Sequence, residues 1–318
     1  MLMKRSALIV CLAIVLSLTM ATGGQAAAAE PGKLNVTVTF NAIMEFAKAV
    51  GGDRVEIATI IPDGTEPHDF EPKAQDLAAL SDAKVFVYNG LDMEGWVEEV
   101  IAAVNNEALI VVDASVGAEP IGNAEEEHEE EHEEEHEEEH EEGHSHEHGQ
   151  YDPHLWLSLK GAQIQAGNIK TAFSAADPAN AEYYEANYQA FAAQLQTLYD
   201  EYQAKFGTVV KKNFVTGHAA FGYLCRDFGL TQNSVEDVFA EGEPSAQQLA
   251  ELIDYCRANG VTTIFAEEMA SPEISETLAN EVGANVKTIY TIESAEDGLS
   301  YLERMEKNLN EIYLSLAQ

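Results

Sequence analysis

The sequence predicts an α/β protein with two lobes, each a mostly parallel sheet covered by helices, joined by one long helix. Three observations lead to this prediction. Short β-rich runs alternate with helical stretches from Leu34 onward, the same alternation resumes at Asn213, and an uninterrupted helical segment lies between the two series. A chain of 318 residues with 46% apolar content is long and apolar enough to bury a sizeable core.

The segment 1–29 has the features of a signal peptide. Two basic residues precede an apolar run over Ser6–Met20, and the small residues around Ala26–Ala29 offer cleavage sites. The run is shorter than the ~18–20 residues of a membrane span. A lipoprotein would need acylation at Cys11, which lacks the preceding small residues that such a cysteine requires. We therefore expect export, cleavage and a periplasmic or extracytoplasmic location.

The first lobe is expected to span residues 30–177. Its strands are predicted at Leu34–Phe40, Arg54–Ile60, Lys84–Tyr88 and Leu109–Val112. Its helices are predicted at Ile43–Val50, Asp76–Leu80 and Glu94–Val104. The first of these helices should end at the glycine pair Gly51–Gly52, because glycine readily takes the backbone conformation that terminates a helix.

The linking helix is predicted over residues 178–206. Asp177 and Pro178 are a suitable N-cap and first helical residue, and no glycine or proline follows before Gly207. The apolar and aromatic side chains recur at spacings of three and four, which gives one stripe along the helix. We expect a rigid strut between the lobes. The alternative is a long helix that packs on one lobe only.

The second lobe is expected to span residues 207–318. Its strands are predicted at Asn213–Thr216, Gln232–Val238, Thr262–Glu267 and Val286–Tyr290. Its helices are predicted at Ala219–Phe228, Ser245–Ala258, Pro272–Val282 and from about Ala295 onward.

A loop rich in histidine and glutamate, residues 123–150, interrupts the first lobe. It holds seven of the ten histidines, several of them four residues apart. That spacing would align histidines on a helix face, but the glutamates would also stack four apart and repel one another. We therefore expect a disordered loop whose imidazoles bind metal ions weakly.

The net charge of the chain restricts its binding partners. A net charge of −39 excludes nucleic acid as a natural partner and disfavours anionic lipid, because both require a basic surface.

Two cysteines, Cys225 and Cys256, would remain after cleavage of the signal peptide. They either form one disulfide, as an exported chain permits, or stay as two buried thiols.

Only His68, His154 and His218 lie outside the histidine-rich loop. His68 and His218 follow predicted strands, and His154 comes directly after the loop in a turn-prone setting. Since ligands of open α/β sheets bind beyond the carboxyl ends of the strands, two facing lobes would bring these side chains together. Neutral imidazoles with one carboxylate suit zinc. The alternative for any one of them is a surface or helix-cap histidine.

Four segments resemble those of the ZnuA-like metal-binding proteins that serve bacterial zinc and manganese ABC importers. These segments are Ile61–Pro72, Asn89–Trp96, Asp152–Leu157 and Thr216–Tyr223. The resemblance extends over nearly the whole mature chain, and the zinc branch also carries a histidine- and acid-rich loop before its second ligand segment.

The resemblance implies two Rossmann-like lobes with one metal ion in the cleft between them. It implies that His68, His154 and His218 are metal ligands. Manganese-type relatives commonly have a carboxylate at the position of His218, so histidine there favours Zn²⁺. The fourth ligand is open: many relatives use an aspartate where Tyr290 stands, and the candidates here are Glu293, Glu66 or water.

Neighbouring carboxylates have two interpretations each. Asp69 and Asp152 flank ligand histidines and either orient the imidazoles or lie in solvated turns. Glu267 and Glu268 end a strand, where we expect structural hydrogen bonds in preference to a place in the cleft.

The function implied by the resemblance is extracytoplasmic capture of zinc and its delivery to the membrane permease of a zinc ABC importer. We expect a monomer that is not an enzyme. The alternatives are a manganese or iron importer component, a metallohydrolase and a periplasmic metal buffer. A metallohydrolase is disfavoured because no predicted helix carries a His-Glu-x-x-His motif, which occurs only in the loop expected to be disordered, and because there is no strong candidate for a general base.

Overall fold

The computed structural model describes residues 32–74, 76–104, 106–123, 149–240, 244–269, 271–295 and 297–318. The predicted signal peptide and residues 124–148 of the predicted histidine-rich loop lie outside these ranges. Within them, none of the helices combines the length and the apolar content that crossing a membrane requires.

The first lobe contains a four-stranded parallel sheet. Its strands are β1 (Leu34–Val38), β2 (Val55–Thr59), β3 (Val85–Tyr88) and β4 (Ile110–Asp113). Its helices are α1 (Asn41–Gly51), α2 (Ala78–Ser81) and α3 (Val97–Ala103). The strand order is β2-β1-β3-β4, and Val36 in β1 pairs with Ile57 on one side and Val85 on the other.

The second lobe repeats this arrangement. Its strands are β5 (Asn213–Thr216), β6 (Thr231–Ser234), β7 (Thr263–Glu267) and β8 (Asn285–Ile289), all parallel in the order β6-β5-β7-β8. Its helices are α6 (Gly222–Phe228), α7 (Ala246–Asn259), α8 (Glu273–Val282) and α9 (Tyr301–Leu316). The predicted fold class, two α/β lobes with mostly parallel sheets, is therefore confirmed.

Among the described residues, two α-helices lie between β4 of the first sheet and β5 of the second along the chain. The second of them, α5 (Ala181–Phe206), is the predicted long helix, and a single 3-10 turn at Pro178–Asn180 precedes it. The first, α4 (Leu159–Ala176), is absent from the sequence prediction. Its buried face carries Leu159, Ile169 and Phe173 but has small residues and the buried Gln165 between them, so its stripe of large apolar side chains is less continuous than that of α5.

The helix α5 packs against both lobes. It contacts α1 and α4 on the first-lobe side and α6 and α9 on the second-lobe side. The rings of Phe46 in α1, Phe191 in α5 and Tyr301 in α9 lie within 6.2 Å of one another, centroid to centroid. One continuous core therefore joins the lobes, and α5 contacts both of them, as expected of a helix that joins the lobes and in contrast to the alternative of a helix on one lobe only.

In the second lobe, β6 ends at Ser234, four residues before the predicted Val238, and two helices begin later than predicted. The helix predicted from Ala219 begins at Gly222, and the helix predicted from about Ala295 begins at Tyr301. The second difference has a clear cause: Ser300 caps α9 through a reciprocal capping box with Glu303, which sets the start of the helix there. The residues before Ser300 are left free to form a loop beyond β8.

Both cysteines within the described residues are buried and free. Cys225 lies in α6 and Cys256 in α7. Burial raises the pKa of Cys225 to about 12 and that of Cys256 to about 11, so both are inert thiols at neutral pH. Of the two sequence-based alternatives, the structure contains the pair of buried thiols.

Candidate metal centre

Four potential metal ligands meet where the two lobes face each other. His68 follows β2, His154 precedes a 3-10 turn that leads into α4, His218 follows β5, and Glu293 follows β8. One ligand atom from each lies within 4.8 Å of those of the other three. The parallel strands explain this meeting, since their carboxyl ends share one edge of each sheet and the two edges are opposed.

The distances within the cluster match a tetrahedral ion. Nε2 of His154 lies 3.1 Å from Nε2 of His68 and 3.2 Å from Nε2 of His218. It also lies 3.9 Å from Oε1 of Glu293. Bonds of 2.0–2.1 Å in a tetrahedral zinc site place neighbouring nitrogens about 3.3 Å apart. Three imidazoles and one carboxylate therefore converge at a spacing that suits one zinc ion.

Asp152 orients His154. Its Oδ1 accepts a hydrogen bond from the backbone N–H of His154 and one from Nδ1 of the ring, each at 2.9 Å. Because Nδ1 carries the proton, Nε2 presents a lone pair to the centre of the cluster. Of the two sequence interpretations of Asp152, the structure shows the orienting one, whereas Asp69 is exposed.

Glu267 orients His218 in the same way. One of its carboxylate oxygens accepts from the backbone N–H of His218 and the other from Nδ1, both at 2.7 Å. The sequence prediction placed Glu267 in structural hydrogen bonding without naming its partner. The strand pairing explains why Glu267 lies beside His218. Glu267 is the last residue of β7, and β7 pairs with β5, the strand that ends just before His218.

His68 is more accessible than the other three residues of the cluster. Its ring is partly exposed, and the Phe239 ring packs edge-on against it with centroids 5.8 Å apart. Its backbone N–H donates to Oε1 of Glu66 at 3.3 Å. Glu66 thus holds the backbone of the first ligand segment, and it is not among the four residues whose ligand atoms cluster.

Glu293 carries a buried oxygen that lacks a hydrogen-bond partner among the described residues. Its Oε2 accepts from Thr291 Oγ1 at 2.9 Å, whereas Oε1 is buried, unpaired and directed at the histidines. A buried carboxylate oxygen without a partner is costly, and a cation at the centre of the cluster would satisfy it. The residues present therefore fit a bound metal ion.

The protonation states of the histidines differ for physical reasons. Burial holds the pKa of His68 and of His154 well below the usual range, so both are neutral and available as ligands. Burial also disfavours the charged form of His218, but the adjacent Glu267 carboxylate outweighs it and raises the pKa to about 9. Burial, together with the nearby Glu66, raises the pKa of Glu293 well above its usual range.

A comparison with protein families identifies one match along most of the chain. The family described as "Zinc-uptake complex component A periplasmic", ZnuA, matches residues 36–314. The chain is 45% identical over 282 residues to a putative metal-binding protein of Treponema pallidum, covering 88% of this chain and 86% of that protein. It is 39% identical over 289 residues to the high-affinity zinc uptake system protein ZnuA of Bacillus subtilis, covering 89% and 88%.

Solved structures show the same fold. A crystal structure of ZnuA superposes with a TM-score of 0.74 at 30% identity, covering 89% of this chain and 99% of that one. The Zn(II)-bound ZnuA-like domain of Streptococcus pneumoniae AdcA superposes with a TM-score of 0.74 at 32% identity, covering 90% and 100%.

Proposed function

We propose, from the premise that the chain belongs to the ZnuA family of zinc-uptake components, that it captures zinc outside the cytoplasm and delivers it to the membrane permease of an ABC importer. One observation carries this proposal. Two imidazole Nε2 lone pairs, each oriented by a carboxylate, point with a third imidazole and an unpaired buried carboxylate oxygen at a single point.

The proposed zinc ligands are Nε2 of His68, His154 and His218 and Oε1 of Glu293. Zinc is favoured over manganese because three imidazoles suit a borderline-soft ion, whereas manganese prefers carboxylates and water. The set also favours capture over hydrolysis. Catalytic zinc sites keep a position open for water, and here four protein groups would fill a tetrahedral ion.

The organisation of the chain follows from this function. We propose a signal peptide over residues 1–29, a first lobe over 30–177, a linking helix over 178–206 and a second lobe over 207–318. We also propose that the mature protein works as a periplasmic monomer. Zinc would then be held between the lobes at the edge where both sheets end, and handed from there to the permease.

The experiment is a zinc titration of the purified mature protein against a competing chelator. We expect one tight site in the wild type and loss of that site in His154→Ala and His218→Ala. The matched control is His128→Ala, which removes an imidazole of the histidine-rich loop and should leave the tight site intact. Undiminished tight binding in either cluster variant would refute the proposed site.

A further inference from the structure

The loop that carries Glu293 has an unusual backbone. Ile292, the residue before Glu293, has a φ of +64°, in the left-handed region that β-branched residues rarely occupy. Such a conformation persists only where surrounding contacts hold it, and held conformations of this kind cluster at functional sites. The contacts around Ile292 therefore bear on where the Glu293 carboxylate lies.

Glu268 holds this loop from within the second lobe. Its Oε2 accepts from the backbone N–H of Thr291 at 2.9 Å, and its Oε1 accepts from the backbone N–H of Ile292 at 3.0 Å. Both consecutive N–H groups are thus taken by one carboxylate. Glu268 directly follows Glu267. Two consecutive glutamates at the end of β7 therefore position two proposed ligands, because Glu267 orients His218 and Glu268 holds the loop that carries Glu293.

The first lobe holds the same loop from the opposite side. Asn41, the buried first residue of α1, donates from Nδ2 to the carbonyl oxygens of Ile292 at 3.0 Å and Ser294 at 3.2 Å. Trp156, two residues after His154, donates from Nε1 to the carbonyl oxygen of Thr291 at 2.7 Å. The peptide groups on both sides of Ile292 are therefore fixed by side chains from both lobes.

We propose that Asn41 and Glu268 are positioning residues that hold the Glu293 carboxylate at the metal, so that its contribution to zinc affinity depends on them. This inference rests on the proposed function. Since Asn41 belongs to the first lobe and Glu293 to the second, the carboxylate reaches its place only when the two lobes are docked. The three histidines would then bind zinc without depending on Asn41 and Glu268.

The test is a double-mutant cycle on zinc affinity with Asn41→Ala and Glu293→Ala. In the wild-type background we expect Asn41→Ala to weaken zinc binding roughly 10- to 100-fold, the usual effect of removing a group that supports a metal ligand. In the Glu293→Ala background the same substitution should change affinity by no more than about twofold, because no carboxylate is left to position. Equal losses in both backgrounds would overturn the inference.

Glu268→Gln provides a second variant that keeps the side-chain shape but leaves one of the two backbone N–H groups without its acceptor. It should show the same dependence on Glu293. The matched control is Asn168→Ala, because Asn168 also donates to two backbone carbonyls, those of Ala114 and Val116, away from the cluster. This control should leave zinc affinity unchanged in both backgrounds.

Substitution of Co²⁺ for zinc adds a measurement that does not change when a variant only lowers the stability of the fold. The visible absorption bands of Co²⁺ depend on the identity and the number of its ligands, so replacement of the carboxylate by water changes the spectrum. The spectrum of Asn41→Ala should approach that of Glu293→Ala, and a wild-type spectrum in Asn41→Ala would overturn the inference. Failure of the wild type to bind zinc tightly would instead refute the proposed function, whereas tight wild-type binding with additive losses refutes only the positioning role.

Discussion

At the scale of single residues, the site depends on pairs of a histidine and a carboxylate. Asp152 and Glu267 each bind both the backbone and the Nδ1 of their histidine, which fixes the ring and the tautomer together. The two pairs differ in charge. His154 is held neutral by burial, whereas the pKa of His218 is raised to about 9 beside Glu267.

This difference predicts that zinc binding near pH 7.5 releases a proton from His218. With a pKa of about 9 the metal-free His218 is protonated at that pH, and a ligand histidine must be neutral. Calorimetry in buffers of different ionisation enthalpy measures the number of protons released. In Glu267→Gln this number should fall by about one, since burial without the carboxylate favours neutral His218. If the wild type and Glu267→Gln released the same number of protons, His218 would not be the source of the released proton.

The same pKa predicts how the stability of the metal-free protein depends on pH. The folded-state pKa of His218 lies above its ordinary value of 6.5, so its contribution to stability is complete below pH 6.5 and is lost as the pH rises through about 9. The pKa values of His68 and His154 in the folded protein are lowered, so the contribution of these two residues to stability is lost as the pH falls below 6.5. These three groups alone would place the greatest stability near pH 6.5. The buried carboxyls of Asp152 and Glu293 have raised pKa values, so their contribution is lost as the pH rises and shifts the greatest stability to lower pH.

At the scale of elements, the strands were easier to predict than the helices around the site. All eight strands of the described residues overlap a predicted strand, and most of them are short β-rich runs bounded by turn residues. The sequence does not reveal α4 because Gly161, Ala162 and Gln165 interrupt the large apolar residues of its buried face. Glycine is required at position 161, because a Cβ there would lie 2.1 Å from the carbonyl oxygen of Leu155, the residue after His154.

Two glycines of α4 give a matched test of this close approach. Gly161→Ala should destabilise the protein by about 1–3 kcal/mol and weaken zinc binding, because the 3-10 turn after His154 must shift. Gly167→Ala should instead stabilise it by roughly 0.5–1 kcal/mol, since a Cβ there meets only Tyr188 at 3.4 Å. Thermal unfolding and zinc titration measure both. Equal effects of the two substitutions would contradict this account of α4.

The candidate site was only partly predictable for a related reason. The three histidines stood out because they alone lie outside the histidine-rich loop. Glu293 was one of three candidates for the fourth position, and only the structure places its oxygen beside His154. The partners Glu267 and Glu268 lie far along the chain from the residues they hold, and pairings of that kind follow from strand order, which the sequence alone does not give.

At the scale of the whole molecule, the two lobes share one core. Phe46, Phe191 and Tyr301 pack together across α1, α5 and α9, and Tyr223 of the second lobe donates to the carbonyl of Asp152 at 2.7 Å. Contacts of this extent couple the lobes during folding as well as in the folded state.

We therefore expect the metal-free protein to unfold in a single cooperative transition by calorimetry. Phe191→Ala should destabilise that transition by about 3–5 kcal/mol without splitting it, because the side chain is buried between the lobes. Val210→Ala, at a 95% exposed position, is the control and should have little effect. Two separate transitions in the wild type would show that the lobes fold independently.

The most direct test of the central claim is a crystal structure of the zinc-loaded protein with diffraction collected at the zinc absorption edge. The account predicts that the strongest anomalous peak lies between the lobes, within bonding distance of Nε2 of His68, His154 and His218 and of Oε1 of Glu293. A strongest peak elsewhere, or an ion in the cleft bound without these four atoms, would contradict it.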